Sequence, residues 1–388
     1  MALNNVLFNI VALSARCCAE SAGQFGDGEI GERTKPGFAI GVDKLTGKTM
    51  RSGWRATKLG WPLAALLTLA TLSSVAMASE KVTLIVGGAE KIIYLPASLA
   101  QRLGYYREQD LSVDLQSELG GNEAEDALLA GAADGVIGFY DHTIELQAKG
   151  KFVESIIVIG QAPGEAEIVA TRLADKVIRS ADFSGLTFGV TGLGSSTVTL
   201  AQYLAMRQGA SLRDLTLVPA GAGDTFITAL KDGRIDLGIT SEPTVSRLLK
   251  LGVGQVVVDL RTPEAARAAL GGTYPAACLY VQSSWVQQHH DTARHLASAL
   301  VKALVFINTH DAAQIAALVP ESYYAGDKAL YIDALARAKP GFTPDGRMPP
   351  DGPATVLGVL EDVSRSSREK NIDLSRTYTD EFVNAAQN

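Results

Sequence analysis

The sequence predicts an α/β protein with two similar lobes, each a mainly parallel sheet flanked by helices. From residue 81 onward, short β-rich runs alternate with helical patterns, and a block of this alternation recurs about a hundred residues later. Parallel strands need long crossover connections, usually helices, so such alternation is typical of a largely parallel sheet. Two extended apolar runs flank the second block, as expected where a chain crosses between lobes.

The first block contains three predicted strands and two predicted helices. The second helix stops at Gly131, a residue type that commonly ends helices. In chain order the elements are a strand over Lys81–Val86, a helix over Pro96–Leu103, a strand over Leu111–Leu115, a helix over Glu123–Ala130 and a strand over Val136–Phe139.

The second block repeats this order. Its elements are a strand over Leu186–Thr191, a helix over Val198–Arg207, a strand over Leu215–Val218, a helix over Asp224–Lys231 and a strand over Ile235–Thr240. At one constant offset, residues of the first block match residues of the second: Asn122 with Asp224, Ala127 with Ala229, Leu128 with Leu230, Gly131 with Gly233, Asp134 with Asp236 and Ile137 with Ile239. The match indicates an internal duplication of the α/β unit.

Two extended apolar runs, Glu167–Arg172 and Cys278–Gln282, are predicted to be the strands at a hinge crossing. On this basis we assign residues 79–168 and 279–388 to lobe 1 and residues 169–278 to lobe 2. The chain after Trp285 is predicted to be mainly helical, because apolar residues recur there at helical spacing.

Residues 50–78 have the three parts of a secretory signal peptide: a basic stretch after Met50, an apolar run over Leu63–Leu72 and the small-residue site Ala76-Met77-Ala78. The apolar run has about ten residues, whereas a membrane-spanning helix needs about 20. We therefore expect a periplasmic protein cleaved after Ala78. Residues 1–49 are interpreted as a mis-called N-terminal extension, and an uncleaved membrane anchor is the alternative to cleavage.

Composition excludes several classes of protein. The 388 residues include 35 Lys and Arg against 42 Asp and Glu, for a formal net charge of -7. An acidic chain without a basic block is not expected to bind nucleic acid, because phosphate binding requires a basic surface. Of three cysteines, only Cys278 follows the predicted cleavage site, so the exported protein is expected to have no internal disulfide.

The glycine-rich segment from Gly189 to Thr197 follows a predicted strand and opens a helix. Glycines let a ligand approach the backbone, while a helix N-terminus and the hydroxyls of Ser195, Ser196 and Thr197 favour an anion. An ordinary strand-to-helix turn with a Ser/Thr cap is an equally good interpretation. A dinucleotide site is rejected, because Thr197 stands at the third glycine position and no acid follows the next strand.

Two further turns occupy equivalent places before helices, Gly120-Gly121-Asn122 in one lobe and Gly221 to Thr225, with Asp224, in the other. Helix N-termini then face the carboxyl ends of strands, where open α/β sheets bind ligands. Asp141 and His142 follow the third strand directly and belong to a plausible cleft loop, although Asp141 could equally cap a helix. The pattern predicts a cleft for a small polar or anionic ligand.

Catalytic and metal-binding motifs are not found in the sequence. It contains neither a Gly-x-Ser-x-Gly elbow nor a His-Glu-x-x-His motif, and the histidines after residue 288 have no Cys or carboxylate at ligand spacing. We therefore expect no metal, no cofactor and no catalytic residue, and a binding protein rather than an enzyme.

Five stretches carry a family resemblance: Tyr94–Val113, Ala127–Asp134, Asp182–Gly189, Ala229–Asp236 and Glu242-Pro243. They span nearly the whole exported chain in family order. In these stretches the sequence resembles the periplasmic solute-binding subunits of ABC importers for nitrate, sulfonates, taurine and thiamine-pyrimidine precursors. It lacks the cysteine cluster of the fungal pyrimidine-synthesis relatives, so their enzymatic activity is not implied.

The resemblance implies the type II periplasmic-binding-protein fold, whose two lobes close on a ligand by hinge motion. It implies a monomer that delivers a small, anionic solute (a sulfonate, nitrate, a carboxylate or a pyrimidine precursor) to an ABC permease and its ATPase. A periplasmic enzyme using His142 and Asp141 as acid and base, and a ligand sensor, are the alternatives. Carried over by position, the ligand contacts are Gly88, Tyr94, Gly121, Asn122, Tyr140, Asp141, His142, Gly194, Ser195, Ser196, Thr197, Asp224, Thr225 and Glu242.

Overall fold

The computed structural model describes residues 79–180, 183 and 185–386, and the predicted extension and signal peptide lie outside this part. Its ten strands are β1 Glu80–Val86, β2 Leu111–Ser117, β3 Gly135–Phe139, β4 Val153–Val158, β5 Glu165–Ala170, β6 Thr187–Val190, β7 Thr216–Pro219, β8 Leu237–Ser241, β9 Gly254–Leu260 and β10 Ala277–Gln282.

The helices of the same part of the chain cover both sheets and continue after β10. They are α1 Leu95–Arg102, α2 Gly121–Leu129, α3 Asp141–Ala148, α4 Ala174–Ser180, α5 Ser196–Arg207, α6 Asp224–Lys231, α7 Thr244–Lys250, α8 Pro263–Leu270, α9 Ser283–Gln288, α10 His290–Thr309, α11 Ala312–Ala316, α12 Lys328–Ala338, α13 Gly352–Val363, α14 Arg365–Glu369 and α15 Glu381–Ala386. None of these helices is long and apolar enough to cross a membrane.

Two five-stranded sheets form the centres of two lobes, with strand orders β2-β1-β3-β10-β4 and β7-β6-β8-β5-β9. In each sheet four strands run in one direction and the crossing strand, β10 or β5, runs antiparallel to both neighbours. The predicted two-lobed α/β architecture with mainly parallel sheets is confirmed.

The crossing strands are found close to the predicted runs, and each belongs to the lobe that the chain is entering. The chain leaves the first sheet after β4, passes through residues 159–164 and enters the second sheet as β5. It returns through residues 261–276 and re-enters the first sheet as β10. The predicted lobe boundaries at 168/169 and 278/279 therefore fall inside β5 and β10, because an apolar run alone does not tell which sheet it joins.

The duplicated unit has the same local hydrogen bond in both lobes. The Asp134 carboxylate accepts from the backbone N–H of Thr83 in β1 at 2.8 Å, and the Asp236 carboxylate accepts from that of Thr187 in β6 at 3.0 Å. Each Asp thus fixes the start of the third strand of its duplicated unit (β3 or β8) against the first strand of that unit (β1 or β6). These are the two aspartates that the sequence match had aligned.

The helices after β10 pack on both lobes. Helix α10 lies against α1 and α15, whereas α13 contacts α3 of lobe 1 and α5 of lobe 2, and α12 contacts α7. An ion pair between Lys250 and Asp327 and a hydrogen bond from Arg337 to Ser246 at 2.8 Å add polar contacts between lobe 2 and the α12 region. The C-terminal helices therefore link the two sheets beside the crossings.

We predict that Asp134→Ala lowers the free energy of unfolding by about 1–3 kcal/mol, because the half-buried Thr83 N–H loses its charged acceptor. Urea unfolding of the chain from Ser79 onward measures this change. The exposed Asp114→Ala, whose carboxylate accepts from Gln116, is the matched control and should change stability little. Equal stability of both variants would contradict the role assigned to Asp134.

Candidate ligand-binding site between the lobes

An inner cavity lies where the carboxyl ends of β3 and β6 face each other. The space between its lining atoms measures about 260 Å³, and part of this space is open to solvent. Strand β5 runs antiparallel to its neighbours, so its first residue, Glu165, lies at this same edge. Lobe 1 contributes Lys91, Tyr94, Gly121, Phe139 and His142, and lobe 2 contributes Glu165, Thr191, Ser195, Ser196 and Thr197.

A wider outer cavity lies between the loops of the two lobes and measures about 1480 Å³, including space open to solvent. Its lobe 1 wall has three carboxylates, Glu90, Glu118 and Glu123, whereas the lobe 2 wall has Arg234 as its charged side chain. One exposed leucine lines the cavity from each lobe: Leu119 of lobe 1 is 81% exposed and Leu193 of lobe 2 is 57% exposed. The approach to the site is therefore acidic and partly apolar.

The first turns of α3 and α5 meet across the inner cavity. The Ser196 hydroxyl donates to Asp141 Oδ1 at 2.6 Å and lies 3.2 Å from His142 Nε2, and Thr199 of α5 donates to Glu145 of α3 at 3.2 Å. Both helices begin at the carboxyl ends of strands, so these bonds join the two sheet edges. The lobes are in contact around the cavity.

The glycine-rich turn before α5 is both a self-ordered strand-to-helix turn and part of the cavity wall, the two roles that its sequence allows. Thr191 donates to Ser195 Oγ at 2.9 Å, and the hydroxyls of Ser195 and Thr197 lie 2.7 Å apart, so these side chains order their own turn. The same side chains also line the inner cavity. A Cβ at Gly192 would lie 2.3 Å from Asn122 Oδ1 of lobe 1, so glycine permits the lobes to approach closely here.

His142 is buried, and each of its two ring nitrogens has a polar neighbour. Its Nδ1 lies 3.0 Å from the Tyr280 hydroxyl and 3.4 Å from Glu125 Oε2, while Nε2 faces Ser196. Burial raises the pKa of the Glu125 carboxyl, and the nearby His142 acts against this rise. His142 therefore links α2, β10 and α5 at the cavity.

Buried carboxyl groups dominate the electrostatics of the site. Asp141 is fully buried and Glu165 is 3% exposed. Loss of hydration disfavours the charged form, and it raises the pKa of Asp141 to about 6 and that of Glu165 to about 8. The Lys91 ammonium, also buried, donates to the Gly87 carbonyl at 2.6 Å, and burial lowers its pKa against the attraction of Glu165.

Four residues expected at the site have side chains that serve other contacts. Glu242 accepts from the backbone N–H of Ser246 and from Arg261, and Tyr140 forms a hydrogen bond with Thr377. Asp224 pairs with Arg247 on the surface, and Thr225 donates to the Ala222 carbonyl while it lines the outer cavity.

The remaining expected positions lie near the cavities. Gly121, Tyr94, His142, Ser195, Ser196 and Thr197 line the inner cavity, and Asn122 lines the outer one. Asp141 does not line either cavity but accepts a hydrogen bond from Ser196, which does. Gly88 packs beside the Lys91 side chain, and Gly194 has a positive φ of 94° in the turn before α5. The structure thus brings the predicted turns of β1, β3 and β6 together.

Three residues that line the inner cavity are not named individually by the sequence analysis: Lys91, Glu165 and Thr191. Lys91 lies between the expected contacts Gly88 and Tyr94, and Thr191 lies within the glycine-rich segment, whereas Glu165 lies outside every predicted loop. Glu165 and Glu167 stand at alternate positions of a strand whose other residues are apolar and buried. A charged residue in such a strand is unusual and was a usable signal. Lys91 follows the Gly87-Gly88 turn, and its direction depends on packing that the sequence does not reveal.

Residues 93–313 match the protein-family model described as NMT1/THI5 like, which covers more than half of the chain. The chain belongs to this family. A solved protein from Bordetella bronchiseptica RB50 is 35% identical, covers 79% of this chain and 96% of its own length, and has a TM-score of 0.76.

More distant solved proteins share the fold alone. The alkanesulfonate-binding protein SsuA from Xanthomonas axonopodis pv. citri, bound to MOPS, is 15% identical, with a TM-score of 0.62 over 77% of this chain and 98% of its own. The periplasmic nitrate-binding protein NrtA from Synechocystis PCC 6803 is 11% identical, with a TM-score of 0.61 over 79% of this chain and 88% of its own. The two-lobed periplasmic-binding-protein fold expected of this NMT1/THI5-like chain is confirmed.

We predict that the chain loses stability as the pH rises from about 5 to 7, and that Glu167→Gln reduces this loss. Glu167 is fully buried beside Gln208, and burial raises its pKa from 4.5 to about 7. Between these values the folded protein binds more protons than the unfolded chain, so the free energy of unfolding falls by up to about 1.4 kcal/mol per pH unit for this group.

Urea unfolding of the ligand-free protein at several pH values between 5 and 8 measures the slope. The exposed Glu264→Gln on α8 serves as the control and should leave the slope unchanged. A wild-type stability that is flat over this range, or equal slopes for Glu167→Gln and wild type, would show that Glu167 ionises freely in the folded protein.

Proposed function

We propose that this chain is the solute-binding protein of an ABC import system. It captures a small solute in the periplasm, holds the solute between its two lobes, and acts as a monomer that delivers it to a membrane permease and its ATPase. The observation that carries this proposal is the inner cavity at the strand ends, lined by both lobes and bounded by the Ser196–Asp141 hydrogen bond between them. Membership of the NMT1/THI5-like family supports it.

The same arrangement explains how solute capture and lobe closure are coupled. Ser196, Thr199 and Asn122 contact the opposite lobe in the closed arrangement. A solute in the inner cavity touches residues of both lobes at once, so it binds the closed arrangement more tightly than an open one. Differential affinity of this kind shifts the population toward closure.

An enzyme of the hydrolase type is the second candidate, because three side chains stand in the order of a catalytic triad. Ser196 has the place of the nucleophile, His142 that of the base through Nε2, and Glu125, beside His142 Nδ1, that of the orienting acid. The Ser196 hydroxyl has one proton, and it donates that proton to Asp141 at 2.6 Å, whereas the contact with His142 is 3.2 Å. Ser196 is therefore not activated by His142, and binding without bond chemistry is favoured.

We predict that Ser196→Ala weakens solute binding by about tenfold, because the closed form loses a hydrogen bond between lobes to a charged group. Thermal-shift screening of nitrate, sulfonates, carboxylates, amines and pyrimidines identifies binders, and calorimetry measures the affinity of each hit. At 100 times its dissociation constant a solute adds about 2.7 kcal/mol of stability, which is readily detected.

The exposed Ser211→Ala in lobe 2 is the matched control and should retain wild-type affinity. Equal affinity of Ser196→Ala and wild type would contradict the role of the contact between lobes. Failure of every small solute in the screen would contradict the binding function itself, and turnover of a bound compound would favour the enzyme.

We also propose that the precursor starts at Met50 and is cleaved after Ala78 on export. Intact mass and N-terminal sequencing of periplasmic protein should give Ser79 as the first residue, because signal peptidases require small residues at the site Ala76-Met77-Ala78. Ala78→Glu should block cleavage and leave the uncleaved precursor at the membrane, while Ser79→Thr should be processed normally. A periplasmic protein beginning at Ala2 or Leu3 would contradict this proposal.

A further inference from the structure

We propose that closing the lobes takes up protons at the contact between α3 and α5, so that acidic pH favours the closed arrangement of the protein. The two carboxyls of this contact are Asp141 and Glu145 of lobe 1, and neither lines the inner cavity. The inference rests on the proposed function, because closure is the step that holds the solute, and it adds a control of that step by pH.

The contact between the lobes extends over two turns of each helix. Asp141 and Glu145 lie four residues apart on α3, and Ser196 and Thr199 lie three residues apart on α5, so each pair occupies one face of its helix. Ser196 donates to Asp141 Oδ1 at 2.6 Å, and Thr199 donates to Glu145 Oε1 at 3.2 Å. Two carboxyls of lobe 1 are therefore matched by two hydroxyls of lobe 2.

Hydroxyl groups satisfy an acceptor but bring no positive charge. A salt bridge across the lobes would keep both carboxyls ionised on closure, whereas a hydroxyl leaves the negative charge to be compensated by water or by a proton. Asp141 is fully buried, and its Oδ2 has no hydrogen-bond partner among the described residues. An ionised carboxylate lacks hydration in this position, so the closed arrangement favours the protonated acid.

The pKa values of the two carboxyls agree with this geometry. Loss of hydration raises the pKa of Asp141 from 3.8 to about 6, against the effect of its hydrogen bonds. Loss of hydration and the charge of Asp141 raise the pKa of Glu145, against the effects of His142, Lys149 and the Thr199 hydroxyl. When the lobes separate, water replaces the two hydroxyls of α5, so both pKa values return toward the ordinary range.

Other ionisable groups act on Asp141 or Glu145 in the closed arrangement. They are Glu125 of α2, His142 of α3, Lys149 at the end of α3, Glu165 of β5, Cys278 and Tyr280 of β10, and the phenols of Tyr94 and Tyr274. Within this set, Lys149 and the imidazole of His142 belong to lobe 1, as the two carboxyls do. From lobe 2 the set contains Glu165, an acid that itself faces Lys91 of lobe 1. Closure therefore brings no counter-charge from this set to the contact.

Helices α13 and α14 and strand β4 also pack on α3. The buried residues of both helices are uncharged. Arg365 of α14 pairs with Glu369 at 2.7 Å, and Arg368 donates to two carbonyls of α13. Glu154 of β4 forms a hydrogen bond with Ser283. The pH dependence of the contact is therefore assigned to the two carboxyls of α3.

The sign of the effect follows from the number of protons bound. Between about pH 4, where an exposed aspartate ionises, and about pH 6, the closed arrangement binds up to one proton more at Asp141 than an open one does. The ratio of closed to open protein should then fall by up to about tenfold per pH unit, and Glu145 adds to the fall in the same direction. Above about pH 6, Asp141 is mainly ionised in both arrangements, so its contribution is complete.

Small-angle X-ray scattering of the ligand-free chain from Ser79 onward, at constant ionic strength between about pH 4.5 and 6.5, tests the inference. We expect the radius of gyration of the wild type to increase with pH as the lobes separate. The double variant Asp141→Asn/Glu145→Gln imitates the protonated acids and keeps an acceptor for each hydroxyl. It should therefore have the compact radius over the whole range.

Asp126→Asn, at an exposed position of α2, makes the same charge change outside the contact and should open with pH as the wild type does. If circular dichroism shows that the double variant does not fold, Glu145→Gln alone should still reduce the increase in radius. A wild-type radius that stays constant, or that decreases as the pH rises, would overturn the inference. Equal increases in the wild type and in the folded double variant, or in Glu145→Gln where it replaces that variant, would overturn it as well.

These outcomes are separate from those that decide the proposed function. Binding of a solute in the wider screen, together with a radius that does not depend on pH, would remove the proton coupling and leave the binding function intact. Failure of every solute to bind would remove the binding function, whatever the scattering shows.

Discussion

The hydrogen bond from Ser196 to Asp141 joins the first turn of α5 in one lobe to the first turn of α3 in the other. Each helix begins where a strand of its own sheet ends, so this bond forms only when the two sheet edges face each other. The inner cavity lies against it, and the lining residues on either side belong to different lobes. The electrostatics of the site, the burial of Glu165 and the proximity of Asn122 to Gly192 all depend on this arrangement.

Much of the architecture could be predicted because the duplicated α/β unit leaves repeated local signals. Gly131 and Gly233 end equivalent helices, and Asp134 and Asp236 each accept a hydrogen bond from a backbone N–H in the first strand of their duplicated unit. Strands β4 and β9 leave no comparable local signal, and the sequence analysis does not predict them. Those strands form the sheet edges by pairing with β10 and β5, and such pairing between distant segments leaves no local pattern.

The candidate site could be predicted only in part. Turns at strand ends have recognisable glycines and hydroxyls, so Gly121 and Ser195 to Thr197 could be found. The direction of a side chain depends on its neighbours, which the local sequence does not show. Glu242 is turned toward Arg261, and Tyr140 toward Thr377, although both follow strands that end near the cavity.

The charge that the cavity favours is set by the side chains at the strand ends and not by the two-lobed fold itself. The solved relatives named for nitrate and alkanesulfonate binding have the same two-lobed fold at 15% identity or less. A two-lobed α/β fold places the N-termini of helices at the carboxyl ends of strands, and such N-termini by themselves favour anions. In this chain the Asp141 carboxylate already faces the α5 N-terminus, and Glu165 adds a second buried acid. Part of the negative charge that the α5 N-terminus favours is therefore supplied by the protein itself, through the Asp141 carboxylate.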